Sequence, residues 1–280
     1  MNFSLIITVK GRLEHLRNQL LGLKSSILIP SEIIIVAINE PDLDLSDFAE
    51  LAIRIIHLGC DTERLPIAKA RNTGAREATG DKLFFLDVDC IPDQSYFEMM
   101  MTYYKDDRVL MGDPYYLPKN PGKLKSLINK AIPHPHRPRV KEAYEATDYN
   151  LFWSLCFAVS REIFDRIWGF DEGFLGYGGE DTDFAWKLKE ADLKLWMVPA
   201  IVYHQQHPVY IPPLGHLEAI VDNANYFYKK RGFWIMETWL KSFEEMGLIE
   251  WNHEKDFIHL VRHPSPEEQT AAYKEDALFM

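Results

Sequence analysis

Short β-branched apolar runs alternate with helical periodicities over the first third of this chain, and few folds accept that rhythm. Phe3-Ser4-Leu5-Ile6-Ile7-Thr8-Val9 has the length and composition of a strand buried on both faces. From Leu13 to Leu23 the apolar residues at 13, 16, 20 and 23 keep helical spacing. Strand-like runs follow at Ile33 to Ile38 and Ile53 to His57, then a helix from about Pro66 to Ala78, then a strand at Lys82 to Leu86. This order, β-α-β-β-α-β, predicts an α/β sheet with parallel strands, whose ligands bind at the strands' carboxyl ends.

Composition narrows the partners. With 31 Lys and Arg against 42 Asp and Glu the net charge is −11, so no general grip on nucleic acid is expected. An anionic ligand would need local devices: a metal ion, an arginine or a helix N-terminus. No apolar run reaches the roughly 18 residues of a membrane span. Met1 leads into a strand without a basic leader, so a cytoplasmic protein is expected. Cys60, Cys90 and Cys156 are scattered, odd in number and set among apolar residues, as reduced core thiols would be.

After a short apolar segment at Val109 to Gly112, the stretch 113–138 is rich in proline and ends in His134-Pro135-His136-Arg137-Pro138-Arg139. It reads as a long irregular loop, either a phosphate-binding flap over the substrate or a solvated basic loop. Regular structure is predicted to resume with a strand at Phe152 to Val159 and a helix at Arg161 to Ile167. A helix from Glu180 to Glu190 and short strands at Leu195 to Val198 and Ile201 to Tyr203 follow. Leu214 to Arg231 and Ile235 to Met246 read as helical, and the last dozen residues are expected to fray.

Two constellations carry chemistry. Leu83-Phe84-Phe85-Leu86-Asp87-Val88-Asp89 is a buried strand ending in two carboxylates one residue apart. Side chains alternate along an extended chain, so Asp87 and Asp89 are expected on one side, able to share a ligand. Crowded carboxylates repel unless a cation sits between them, and oxygen ligands suit Mg²⁺ or Mn²⁺, which also hold diphosphate. The plain alternative is a solvated turn whose Asp residues cap the next helix. The second constellation runs from Trp168-Gly169-Phe170-Asp171-Glu172 to Gly178-Gly179-Glu180-Asp181-Thr182-Asp183. Acidic residues favour a helix N-terminus, but three of them behind a glycine hinge exceed what capping needs. A carboxylate there could take a proton from a hydroxyl nucleophile.

These residues resemble the family 2 glycosyltransferases with the GT-A fold. Gly178-Gly179-Glu180-Asp181-Thr182-Asp183 is similar to the acceptor-side motif of the β-1,4-galactosyltransferase type and of the polypeptide N-acetylgalactosaminyltransferases. The resemblance also covers Leu5 to Val9 with Arg12, Ala68 to Gly74, Ala78-Thr79-Gly80-Asp81, Asp87-Val88-Asp89 and Val202-Tyr203-His204. It implies a single GT-A, Rossmann-like domain with a mixed, mostly parallel sheet flanked by helices. Residues 1–112 would form its nucleotide-sugar half, 113–150 the Pro-rich loop, 151–212 the acceptor-side half and 213–280 a C-terminal helical extension.

By the same resemblance, Asp89 and His204 would hold a divalent metal, Mn²⁺ or Mg²⁺, with Asp87 beside it or near the ribose. Thr8, Arg12 and Arg71 would line the nucleotide pocket, and Gly179 would let the backbone reach the donor sugar. Asp181 would be the general base, with Glu180 its rival for that role and for binding the acceptor. Family members commonly carry an acidic residue after the second strand to recognise uracil. Here the chain reads Ile38-Asn39-Glu40, and Asn39 or Glu40 would substitute.

The implied activity is transfer of a sugar from a nucleotide diphosphate sugar, UDP-linked, to a hydroxyl of a glycan, lipid-linked sugar or peptide, with inversion. A nucleotidyltransferase on a related sheet, or a silent sugar-binding or scaffold protein, is the alternative. Trp153, Trp168, Tyr177, Trp186 and Trp196 near the acceptor segment suit either sugar stacking or core packing. His207, His216 and His263 read as structural. The apolar residues from Phe233 to Leu240 read as a packing face, with peripheral membrane contact as the alternative.

Overall fold

The structure is a computed structural model that describes residues 2–61, 64–119, 124–251 and 256–279. Its first strands are those the apolar runs predict: β1 (Ser4–Val9), β2 (Glu32–Ile38), β3 (Ile53–Leu58) and β4 (Lys82–Asp87), with α1 (Leu13–Lys24) and α2 (Ile67–Glu77) between them. They pair in parallel in the order β3-β2-β1-β4, so Thr8 at the end of β1 lies level with Asp87 at the end of β4. Every residue of β1 is buried, as expected for a strand covered on both faces. Helix α2 lies so close to the sheet that a Cβ on Gly74 would sit 2.4 Å from Ile6 Cγ2, and only glycine permits this approach.

The second half adds β5 (Cys90–Pro92), α3 (Tyr96–Tyr103), β6 (Arg108–Tyr116), the two-residue ladders β7 (Ile132–Pro133) and β8 (Tyr144–Glu145), β9 (Cys156–Ser160) and β10 (Lys194–His204). The sheet continues β4-β9-β6-β10-β5. Strand β9 is antiparallel to both neighbours, whereas β6 and β10 are parallel, so the sheet is mixed as anticipated. Helices α4 (Arg161–Arg166) and α5 (Glu180–Glu190) join the flanking layer. Two expectations change here. The two short strands near 195 and 203 are one strand, β10, with a register shift between Met197 and Ile201. The strand expected from Phe152 begins only at Cys156, because a 3₁₀ turn at Tyr149–Leu151 precedes it. Cys90 and Cys156 are buried and Cys60 is half-buried, as the sequence led one to expect, and among the described residues none of the three forms a disulfide.

The 113–138 stretch is only partly irregular. Its first residues extend β6, and residues 120–123 lie outside the described residues. Of the basic string, His134 and Arg137 are buried while His136 and Arg139 are exposed. The Arg137 guanidinium lies 4.4 Å from the Trp153 ring and donates to Leu151 O, so it serves packing. Burial, with His136 and Arg137 nearby, pushes the His134 imidazole down to about 4.

Helices α6 (Leu217–Arg231), α7 (Glu237–Glu245) and α8 (Pro266–Ala272) form the C-terminal part. They bury a small core of their own, including Leu217, Ile220, Leu240, Phe243 and Trp251. The apolar residues of 233–240 are largely spent on packing: Ile235 and Leu240 are buried, although Phe233 stays partly exposed. The residues expected to fray are tied down, since Ile211 N–H donates to Ala272 O, Lys119 pairs with Glu275 at 2.6 Å and Phe279 packs edge-on to Tyr116.

What fastens α6 to α5 is Asp183. Its side chain is fully buried and takes Arg231 Nη2 and Lys230 Nζ on Oδ1, each at 2.8 Å. One of the three acids of the sequence motif is therefore an anchor. Replacing it leaves the Arg231 guanidinium, itself 5% exposed, with only the more exposed Glu190 to offset its charge. Asp183→Ala is expected to lower unfolding free energy by about 3–5 kcal/mol, read as a lower urea midpoint.

Candidate functional site

The carboxyl ends of β2, β1 and β4 carry the expected nucleotide-side residues. Strand β4 stops at Asp87 and the chain turns through Val88 and Asp89, so the alternation of an extended strand no longer applies. The two carboxylates consequently face different partners. Asp87 Oδ1 takes Arg71 Nη2 at 3.0 Å. Asp89 faces three groups from other elements. Arg12, just ahead of α1, forms an ion pair with Oδ2, His204 Nε2 lies 3.5 Å from Oδ1, and His207 Nε2 lies 3.7 Å from Oδ2. The turn itself is fixed by Gln19 of α1, whose buried amide donates to the carbonyls of Asp87 and Cys90, both at 2.8 Å.

Charge follows this division. Burial opposes ionisation of Asp89, but His204, Arg12 and His207 outweigh it and hold the carboxyl below its usual range. For Asp87 burial prevails, reinforced by the Asp89 charge, and pushes its carboxyl up against the pull of Arg71. Burial and Arg12 lower the His207 imidazole, leaving its ring neutral and its lone pair available at neutral pH. One carboxylate and two imidazoles thus offer donor atoms within 4.8 Å of one another. His204 Nδ1 is buried with no hydrogen-bond partner among the described residues. Such a set fits a divalent cation that accepts mixed oxygen and nitrogen ligands. His207 was read as structural from sequence; the signal that could have found it is His204-x-x-His207 immediately past a strand end.

Arg71 connects this side to the second constellation. It is 4% exposed, its guanidinium lies 5.1 Å from the Phe170 ring, and its Nη1 reaches Glu180 Oε1 at 3.1 Å. Gly179 precedes α5 with φ 95°, a left-handed conformation open to glycine, and a Cβ there would meet Phe174 at 2.9 Å. That turn brings Glu180 and Asp181 side by side. Burial, and then the Asp181 charge, push the Glu180 carboxyl up to about 7 against Arg71. Asp181 is raised by burial too, although Thr182 N–H donates to its Oδ1 at 2.7 Å. Asn223 of α6 secures the glycine segment through hydrogen bonds to the carbonyls of Leu175, Tyr177 and Gly178. His216 stacks on Tyr177 with centroids 4.6 Å apart, a structural contact as expected.

Thr8, Arg12, Arg71, Asp87, Asp89 and His204 therefore gather at one edge, with Glu180, Asp181 and Gly179 linked to them through Arg71. Asn39 stands apart. It has φ 51°, and its amide both donates to Cys60 O and accepts from Cys60 N–H, each at 2.8 Å. Its geometry is that of a residue shaping the rim rather than one reading a base. Glu40 accepts from Gly11 N–H at 2.5 Å.

Known proteins resemble the chain in sequence and in fold. The profile of Glycosyl transferase family 2 matches residues 4–168, and that of the N-terminal domain of galactosyltransferase matches residues 138–208. Validoxylamine A glucosyltransferase of Streptomyces hygroscopicus subsp. jinggangensis is 32% identical over 146 residues, which cover 44% of this chain and 35% of that protein. The match thus spans about a third of the relative's length. Among solved structures, GalNAc-T7 with UDP, GalNAc and Mn²⁺ superposes with a TM-score of 0.58 at 16% identity, covering 88% of this chain and 55% of that one. S. aureus TarS 1-349 in complex with UDP-GlcNAc superposes with a TM-score of 0.53 at 16% identity, covering 74% and 59%. These likenesses establish the fold as that of GT-A glycosyltransferases. With a family profile matching more than half of its length, the chain belongs to glycosyl transferase family 2.

Proposed function

We propose that the protein transfers a sugar from a UDP-linked donor to an acceptor hydroxyl, with inversion at the anomeric carbon. The observation that carries this reading is the pair of carboxylate sites at one sheet edge, Asp89 with His204 and His207, and Glu180 with Asp181, the second tied by Arg71 to Asp87 two residues before Asp89. Support for the nucleotide comes from the neighbours, whose structures hold UDP or UDP-GlcNAc.

Asp89, His204 and His207 would hold a divalent cation, and two imidazoles in the set favour Mn²⁺ over Mg²⁺. When bound, the cation offsets negative charge on the donor's diphosphate. Arg12 and Arg71 supply fixed positive charge on the same side, and Thr8 lines the base of the pocket. On the acceptor side, Glu180 is engaged by Arg71, which suits it to orienting a sugar hydroxyl. Asp181 has no such ion pair among the described residues and is the base. Its carboxylate takes the acceptor's hydroxyl proton as that oxygen bonds to the anomeric carbon. The bond from that carbon to the diphosphate oxygen breaks on the opposite face, and the electron pair leaves with UDP. A single displacement inverts the centre.

Asp89→Asn removes the one carboxylate of the cation set. UDP affinity in the presence of Mn²⁺, measured by calorimetry, is expected to fall at least tenfold; an undiminished affinity would overturn the cation assignment. Arg12→Gln frees Asp89 from its ion pair, so Mn²⁺ alone should bind several-fold more tightly while UDP binds more weakly, read in the same titrations. Asp181→Asn should retain UDP binding and lose transfer by about 10²–10⁴-fold. Transfer that survives in Asp181→Asn but not in Glu180→Gln moves the base by one residue.

The acid pair also makes a pH prediction. Glu180 in the folded protein holds its proton to about pH 7, above its ordinary value of 4.5. Stability from this group is therefore complete below pH 4.5 and is lost as pH rises through 7. Removing the neighbouring charge in Asp181→Asn should bring the Glu180 carboxyl down, visible as an earlier titration of its carbon resonance in NMR.

A further inference from the structure

Trp168 is 87% exposed, more than any other large apolar side chain among the described residues. It also holds φ 60°, a left-handed backbone that a bulky residue rarely adopts. Nothing loose accounts for this. Trp168 N–H donates to Asp165 O at 3.0 Å, and Gly169 N–H donates to Phe164 O at 2.9 Å. Lys187 Nζ donates to Gly169 O at 2.9 Å, pinning the turn to α5. The indole is thus presented to solvent from a rigid turn.

Beside it runs an open groove of about 610 Å³. Phe164 and Phe170 line its interior, and Asp165, Glu172 and Arg76 line it with charge of both signs. Glu172 is oriented by Asn72 Nδ2 at 3.0 Å and lies 3.5 Å from Arg76 Nη1. None of the catalytic-side residues Asp89, His204, His207, Glu180 or Asp181 lines this groove. A flat indole face suits the C–H face of a pyranose, while side-chain carboxylates and a guanidinium offer paired hydrogen bonds to neighbouring hydroxyls. The mixed charges argue against burial in a lipid bilayer.

We propose that the Trp168 groove is a second carbohydrate-binding subsite for a neutral oligosaccharide, separate from the transfer site. The groove adjoins the site through a shared wall. Phe170 lines the groove and also packs against the Arg71 guanidinium, and Asn72 bonds both the N–H and the carbonyl of Phe170. A bound glycan would therefore press on the segment that leads to Glu180. Its identity as the distal part of the acceptor rests on the transferase reading; binding itself does not.

The test uses the full chain, with Trp168→Gly, which suits the left-handed backbone, and Trp168→Phe, which keeps a ring. Each is titrated calorimetrically with maltohexaose, cellohexaose and chitohexaose, and separately with UDP and Mn²⁺. At least one hexasaccharide is expected to bind the wild type. Trp168→Gly should weaken it at least tenfold and Trp168→Phe less, with UDP affinity unchanged in both. The subsite is overturned if no hexasaccharide binds, or if Trp168→Gly binds as the wild type does. Dimerisation by light scattering that Trp168→Gly abolishes assigns the indole to a contact between copies, and Trp168-dependent binding to phosphatidylserine vesicles assigns it to a membrane; either result overturns the proposal. Failure of the wild type to bind UDP removes the transferase reading and leaves the hexasaccharide result standing.

Discussion

One buried guanidinium holds the two halves of the site in register. Arg71 projects from α2 between Asp87, at the end of a strand, and Glu180, at the start of a helix more than a hundred positions later in the chain. With 4% exposure it lies almost out of water, where a lone charge would be costly. Burial favours a lower pKa for it, but Asp87 and Glu180 together raise it. Both carboxylates are in turn raised by burial, so each of the three groups depends on the others. The cost of burying them is offset only in the assembled arrangement. The network therefore makes the distance between the Asp87 side and the Glu180 side a property of the fold rather than of a flexible loop.

Around that link the remaining polar contacts divide into those that hold and those that face the ligand. Gln19 and Asn223 use their amides on backbone carbonyls, fixing the Asp87–Cys90 turn and the Leu175–Gly178 segment. Asp183 holds α6 through Lys230 and Arg231. With the backbone secured by these residues, Asp89, His204, His207 and Asp181 are held in place near the sheet edge.

Much of the fold was legible because β1, β2 and β4 are buried on both faces, and short continuous apolar runs between turns read as buried strands. Legibility failed where a residue's role depends on distant partners. Prolines near 113–138 suggested a loop, yet His134 packs against Trp153 and Phe279, contacts that local composition does not encode. Asp87 and Asp89 were read by strand alternation, which the turn at Val88 interrupts. His207 had no apolar pattern to mark it, and Asp183 looked like its two acidic neighbours until α6 was placed beside it. In each case the residue type was noticed and its partner was not.

The register shift in β10 has a bearing on how this protein can vary. Strand β10 pairs with β6 from Lys194 to Met197 and again from Ile201 to His204, with the irregularity between them. Side chains alternate faces along a strand, so the number of residues in that irregularity decides whether His204 or Tyr203 turns toward Asp89. Losing one residue at 198–200 would displace His204 and His207 together relative to Asp89, since both lie beyond the irregularity. Length variation in related chains should accordingly be tolerated in the surface loops and be absent from this short span.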